Sequence, residues 1–142
     1  MEENQKELQK MYLELQLLDE QMKQIQKQIT ILDEQLVELN NTLQALDDFN
    51  KTAVGTKILV SLSPGIFISA ELKDNKELIV NVGGNIVVKK TVDETKDLLK
   101  KRLDTIKKYR DLTLAEMQKM NLQAVNIEQE INKIVETKKT KE

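Results

Sequence analysis

The 142-residue sequence contains no cysteine, no histidine and no tryptophan, and only one proline, four glycines, two tyrosines and two phenylalanines. Without cysteine there are no disulfides, thiolate nucleophiles or zinc–thiolate sites. Without histidine the commonest general base and metal ligand is gone. No apolar run approaches the roughly 20 residues that a bilayer-spanning helix needs. The first residues, Met1-Glu2-Glu3-Asn4-Gln5-Lys6, do not read as a signal peptide, so a cytoplasmic protein is expected. Net charge is −2 with both signs interspersed, which gives no basic footprint for nucleic acid. Gly83-Gly84 lacks the surrounding fingerprint of a phosphate loop and reads as a turn. Asp47-Asp48 reads as a solvated helix end rather than an acid–base dyad. Met22, Met117 and Met120 suit helix packing better than metal binding. The expectation is a protein with no catalytic residues, no cofactor and no metal.

What remains is a chain in which 32 % of residues are charged and 3 % aromatic, the profile of long helices or coiled coil. Over residues 5–49 the apolar positions are Leu8, Met11, Leu15, Leu18, Met22, Ile25, Ile29, Leu32, Leu36, Leu39, Leu43 and Leu46. Their spacing alternates three and four without a miss. That period keeps one seam toward a partner helix and predicts a left-handed coiled coil. A helix lying on a globular core would carry a wider stripe. The arm would be roughly 65–70 Å long at about 1.5 Å per residue. Asn50 is placed to end it in a left-handed conformation.

Residues 57–91 change period from 3.5 to 2, as strands do. Ile58, Val60 and Leu62 alternate with Leu59 and Ser61; after Ser63-Pro64-Gly65 come Ile66, Ile68, Ala70 and Leu72 on one face. Lys73-Asp74-Asn75-Lys76 is a second turn, followed by Leu78, Val80 and Val82. Gly83-Gly84-Asn85 is a third turn of the kind hairpins favour, and Ile86 and Val88 carry the last strand. The reading is two β-hairpins with one face consistently apolar. The other face is not fully polar, since Leu59, Phe67, Ile79 and Val87 lie on it. Fully burying each aliphatic side chain stabilises by about 1.5–3 kcal/mol, which a lone small sheet leaves unrealised. Its edges also expose unpaired backbone groups. Pairing with the same block of other subunits, ideally into closed barrels, solves both problems.

Thr91 and Glu94 form a capping-box signature that starts the second arm, residues 92–136. Its seam is Leu99, Leu103, Ile106, Arg110, Thr113, Met117, Met120, Ala124, Ile127, Ile131 and Ile134. Two arms of equal length joined by a compact connector predict an antiparallel pair. Leu8 then meets Ile134, Leu15 meets Ile127, and Arg110 falls opposite Leu32. Arg110 is open to three readings: a flexing point, an ion-pair site or an irregularity without a role. Near the far end Tyr12, Leu13 and Leu17 lie off the first seam, and Leu122, Val125 and Val135 off the second. Scattered surface leucines are normal; equally, an apolar group containing Met and Leu is a grip for hydrophobic segments of other proteins. Lys138-Lys139-Thr140-Lys141-Glu142 reads as a frayed, solvated tail.

The strand block resembles the alpha-class subunits of the archaeal prefoldin family. The resemblance is carried by Ile58-Leu59-Val60-Ser61-Leu62-Ser63-Pro64-Gly65-Ile66-Phe67-Ile68-Ser69-Ala70-Glu71-Leu72-Lys73-Asp74 and by Leu78-Ile79-Val80-Asn81-Val82-Gly83-Gly84-Asn85-Ile86-Val87-Val88-Lys89-Lys90. Ser61 stands where the family usually has proline, and Ser63 and Asn85 where it usually has glycine. Two hairpins match the alpha class; the beta class carries one. The resemblance implies an α+β subunit over residues 1–142, with a long antiparallel two-helix coiled coil and two β-hairpins joining an oligomeric barrel. It further implies a heterohexamer of two alpha and four beta subunits, an ATP-independent holdase whose coiled-coil tips bind unfolded clients and hand them to a group II chaperonin. The alternative is a self-assembling alpha-class relative, or a coiled-coil tether or filament protein with a structural role. The expected client-binding residues are Leu8, Met11, Tyr12, Leu13, Leu15, Ile127, Ile131, Ile134 and Val135. Those expected to hold subunits together are Ile58, Val60, Leu62, Ile66, Ile68, Leu72, Leu78, Val80, Val82, Ile86 and Val88. No membrane and no nucleic-acid partner is expected.

Overall fold

The computed structural model describes residues 2–140. Helix α1 spans Glu2–Lys51 and helix α2 spans Val92–Thr140. Between them lie β1 (Lys57–Ser63), β2 (Ile66–Glu71), β3 (Glu77–Gly83) and β4 (Ile86–Thr91). Both helices outrun the heptad signal. Asn50 does not take the left-handed conformation expected of it: α1 continues to Lys51, and Thr52 closes the last turn. The Thr52 hydroxyl donates to the Asp48 carbonyl at 2.7 Å and its amide to Phe49 O at 3.2 Å. With those carbonyls capped, the reversal moves on to Gly55, at φ 91°. Within the stretch expected to be a solvated, frayed tail, α2 extends to Thr140, where Thr140 Oγ1 donates to Glu136 O at 3.0 Å. Lys141 and Glu142 lie outside the described residues.

The chain divides into two compact units, one of Leu36–Thr105 and one of Met1–Gln35 with Ile106–Glu142. In the first unit the strands form two separate antiparallel sheets, β1–β2 and β3–β4. Val60 pairs with Ile68 and Ile58 with Ala70; Val80 pairs with Val88. These pairs put the predicted apolar sets on common faces, because opposed residues share a side of the ribbon. Each ladder slips register just before its turn, between Ser61 and Ser63 and between Asn81 and Gly83. Such bulges raise the local twist. At the first turn Pro64 presets φ, and Gly65 at φ 81° has the value that the third residue of a type II turn requires. At the second, Gly84 and Asn85 have φ 57° and 62°, the paired positive values of a type I′ hairpin. Between the hairpins, Asp74 Oδ1 accepts from the Lys76 amide at 2.8 Å, an Asx turn.

The core of this unit is Leu46, Val92 and Leu99, with Leu39, Leu43, Phe49 and Leu78 packed on it. Leu78 thereby ties the second hairpin to both helices. Polar ties hold the rest of the connector: Gly55 N donates to Leu72 O at 2.7 Å, Asn75 Nδ2 to Thr52 O at 3.0 Å and Val92 N to Lys76 O at 3.1 Å. Thr91 caps α2 as predicted, its Oγ1 accepting from Glu94 N at 3.2 Å. Lys96 pairs with Asp47 across the helices.

In the other unit the seam is a narrow strip. Ile25, Ile29, Ala124 and Ile131 are buried, together with Thr113. The Thr113 hydroxyl is satisfied by donating to Tyr109 O at 2.8 Å. Arg110 is resolved as an ion-pair site: its Nε donates to Asp33 Oδ1, one residue along from the Leu32 that the antiparallel register placed opposite it.

Candidate interaction surfaces

Two groups of apolar side chains lack a core to enter, one in each unit. The first is on the hairpins. Val60, Leu62, Ile66, Ile68, Val82 and Ile86 are exposed, and Ile58, Leu78, Val80 and Val88 half-buried. Leu72 differs: at 8 % exposure it is buried within its own chain. The backbone bonds that Leu72 makes with Gly55 and Thr56 draw it under the connector. The opposite face is more open than the predicted one. Leu59 and Ile79 are each 73 % exposed, and Phe67 and Val87 more than half. The alternation of the strands showed these residues to be off the predicted face. It could not show how much of either face stays uncovered within the chain. A two-stranded ribbon with two apolar faces and free edges is marginal in water by itself, and contiguous exposed apolar surface marks an interaction site.

The second group lies where the two chain ends belong to one unit. Tyr12 and Leu13 are more than half exposed, as are Leu17 and Leu122, with Val125 close behind. Leu8, Met11, Leu15, Ile127, Ile134 and Val135 are half-buried, and Ile131 is buried at 5 %. The predicted residues thus divide in two. Those on the seam pack against the facing helix, whereas Tyr12 and Leu13 present their side chains outward. A groove of about 450 Å³ lies alongside, lined by Glu14, Leu17, Leu18, Gln21, Gln123, Asn126 and Ile127. Its amide rim gives no signal in the sequence, because polar residues flanking a seam look like ordinary solvated helix surface. Among the described residues no cluster of acidic side chains could hold a metal ion. No described helix is long and apolar enough to cross a membrane.

Comparison with known proteins agrees with this geometry. The prefoldin subunit family profile matches residues 18–137. Prefoldin subunit alpha of Archaeoglobus fulgidus is 27 % identical over 128 residues, covering 90 % of this chain and 93 % of that protein. Human prefoldin subunit 5 is 30 % identical over 63 residues, 44 % of this chain and 41 % of that protein. The fold is similar to a chain of the filamentous prefoldin of Methanocaldococcus jannaschii, with a TM-score of 0.74 at 15 % identity over 80 % of this chain and 94 % of that one. Helices bracketing two small hairpins, apolar ribbons left open, and a profile match across most of the length lead to one conclusion: the chain belongs to the prefoldin family and is a chaperone subunit.

Proposed function

We propose that this subunit works as an ATP-independent holdase in the cytoplasm. It assembles through its hairpins with a second copy and four beta-class subunits, binds non-native proteins at the ends of its helices and passes them to a group II chaperonin. The observation that carries the assembly half is the two-sided exposure of the ribbons. Burying Ile58, Val60, Leu62, Ile66, Ile68, Val80, Val82, Ile86 and Val88 against other subunits stabilises the complex, and closure into a barrel removes the free edges. Leu78 ties the second ribbon to the helices, and Leu72 is buried under the connector.

Client binding falls to the unit with both chain ends. Tyr12 and Leu13 make direct contact. Leu8, Met11, Leu15, Ile127, Ile134 and Val135 supply the half-buried margin, and Ile131 fixes its shape from the seam. Each contact is weak, and several subunits acting together turn weak contacts into retention. Removing residues 1–14 and 127–142 is expected to abolish suppression of client aggregation while the assembly keeps its size. Full suppression by the trimmed protein would overturn the assignment. A second reading, homo-oligomers or filaments with a structural role, draws on the likeness to a filamentous prefoldin and on apolar surface on both faces of the ribbons.

A further inference from the structure

The ion pairs between the helices are spaced in a way that their individual strength does not explain. Arg110 stands on the α2 seam, where an apolar residue would pack, and meets Asp33; Lys96 meets Asp47 in the same manner. Asp33 and Asp47 are fourteen residues apart on α1, and Lys96 and Arg110 are fourteen apart on α2. Each interval is two heptads. Midway between the cations stands buried Leu103; midway between the aspartates stands Asn40. At heptad steps, then, α2 reads Lys96, Leu103, Arg110, and the α1 positions at the matching steps read Asp47, Asn40, Asp33, with Asn40 exposed.

The aliphatic seam repeats every seven residues, so sliding one helix by a heptad keeps apolar residues opposite apolar ones. The charged positions do not permit this. A one-heptad slip in either direction sets Leu103 against an aspartate, Asp33 or Asp47. Arg110 then meets Gln26 or Asn40, respectively, and Lys96 meets Asn40 or runs past the end of α1 at Lys51. We propose that the Asp33–Arg110 and Asp47–Lys96 pairs are a register code, which selects the native alignment of α1 and α2 and rejects both one-heptad slips. The discrimination comes from the misaligned states, in which an aspartate flanks Leu103 without a cation to meet it and a seam cation has no counter-charge. Partly exposed ion pairs contribute little to stability themselves. A slip moves one helix about 10 Å along the other, so the code also keeps Tyr12 and Leu13 level with the end of α2 that they accompany.

The competing arrangement is that the connector between the helices sets the register alone. The absence of native cysteine allows a clean test in the full chain. Met22→Cys with Met120→Cys joins seam positions that face one another in the native register. Met22→Cys with Ile127→Cys and Met22→Cys with Thr113→Cys report the two slips. Intramolecular disulfide yield is measured by mass in the native background and in Asp33→Asn/Asp47→Asn/Lys96→Leu/Arg110→Leu, which makes all three layers alike. The slipped-to-native ratio is expected to rise about tenfold in the second background. An unchanged ratio, with helicity retained by circular dichroism, overturns the proposal. A third background, Asp33→Arg/Arg110→Asp, keeps the pair with its charges exchanged and must retain the native disulfide alone; slipped disulfides there would also overturn it.

Discussion

Replacing Leu99 by alanine tests whether the junction of helices and hairpins has a real core. Leu99 is 7 % exposed and packs with Leu46 and Val92, against which Leu39, Leu43, Phe49 and Leu78 also lie. Leu→Ala at a buried site costs about 2–5 kcal/mol, rising with the cavity left behind. Among the described residues no large side chain is completely enclosed, so water and flexible neighbours reach the vacated space easily. That places Leu99→Ala at the lower end, about 2–3 kcal/mol. At roughly 4 °C per kcal/mol for a chain of this size, the loss of helical signal should move down by about 8–12 °C. The assay is thermal unfolding followed by far-UV circular dichroism, with exposed Leu112→Ala as control, expected within about 2 °C of the parent. A Leu99→Ala shift as small as the control's would show the cluster to be a contact without a core.

Three further outcomes follow from the geometry. Val80→Asp puts a charge opposite Val88 on the second ribbon and should abolish assembly while leaving the helical signal; light scattering that still reports the parent size would count against the hairpins as the joint. Asn85 sits at φ 62°, so Asn85→Gly should be neutral and Asn85→Val should cost about 1–2 kcal/mol in urea unfolding; equal stability of the two would contradict the type I′ turn. The Asp47 carboxyl is held below its ordinary value, chiefly by its hydrogen bond with Lys96. A folded value below the unfolded one means that its contribution is complete above about pH 4 and fades as pH falls through the folded value. Asp47→Asn should therefore be less stable than the parent at neutral pH and match it in acid; a gap that persists at pH 2 would argue against the pair.

Much of this fold was written in local pattern. The three–four alternation gave the seams, and the equal arms gave a register within one residue of the Asp33–Arg110 pair. Pro64-Gly65 and Gly84-Asn85 marked turns because few other residues adopt their backbone angles. What escaped depended on partners distant in sequence. Arg110 could not be given a role until the register set Asp33 beside it. Leu72 looked like a strand residue facing a neighbour, yet backbone bonds to Gly55 and Thr56 pull it inside. Asn50 had the chemistry of a terminator, but the Thr52 hydroxyl capped the helix first. The proposed closure of the ribbons into a barrel was legible only as unmet apolar surface, since much of that surface stays open within the chain.

The hairpins are proposed to join this subunit to others of its family in a discrete complex. The most direct test is to co-express it with a beta-class prefoldin subunit and measure the mass of the purified product beside the chain alone. The expected product is a hexamer of two copies of this chain and four of the partner, formed only when both are present. A monomer that never associates, or an open ladder of homo-oligomers unchanged by the partner, would contradict it.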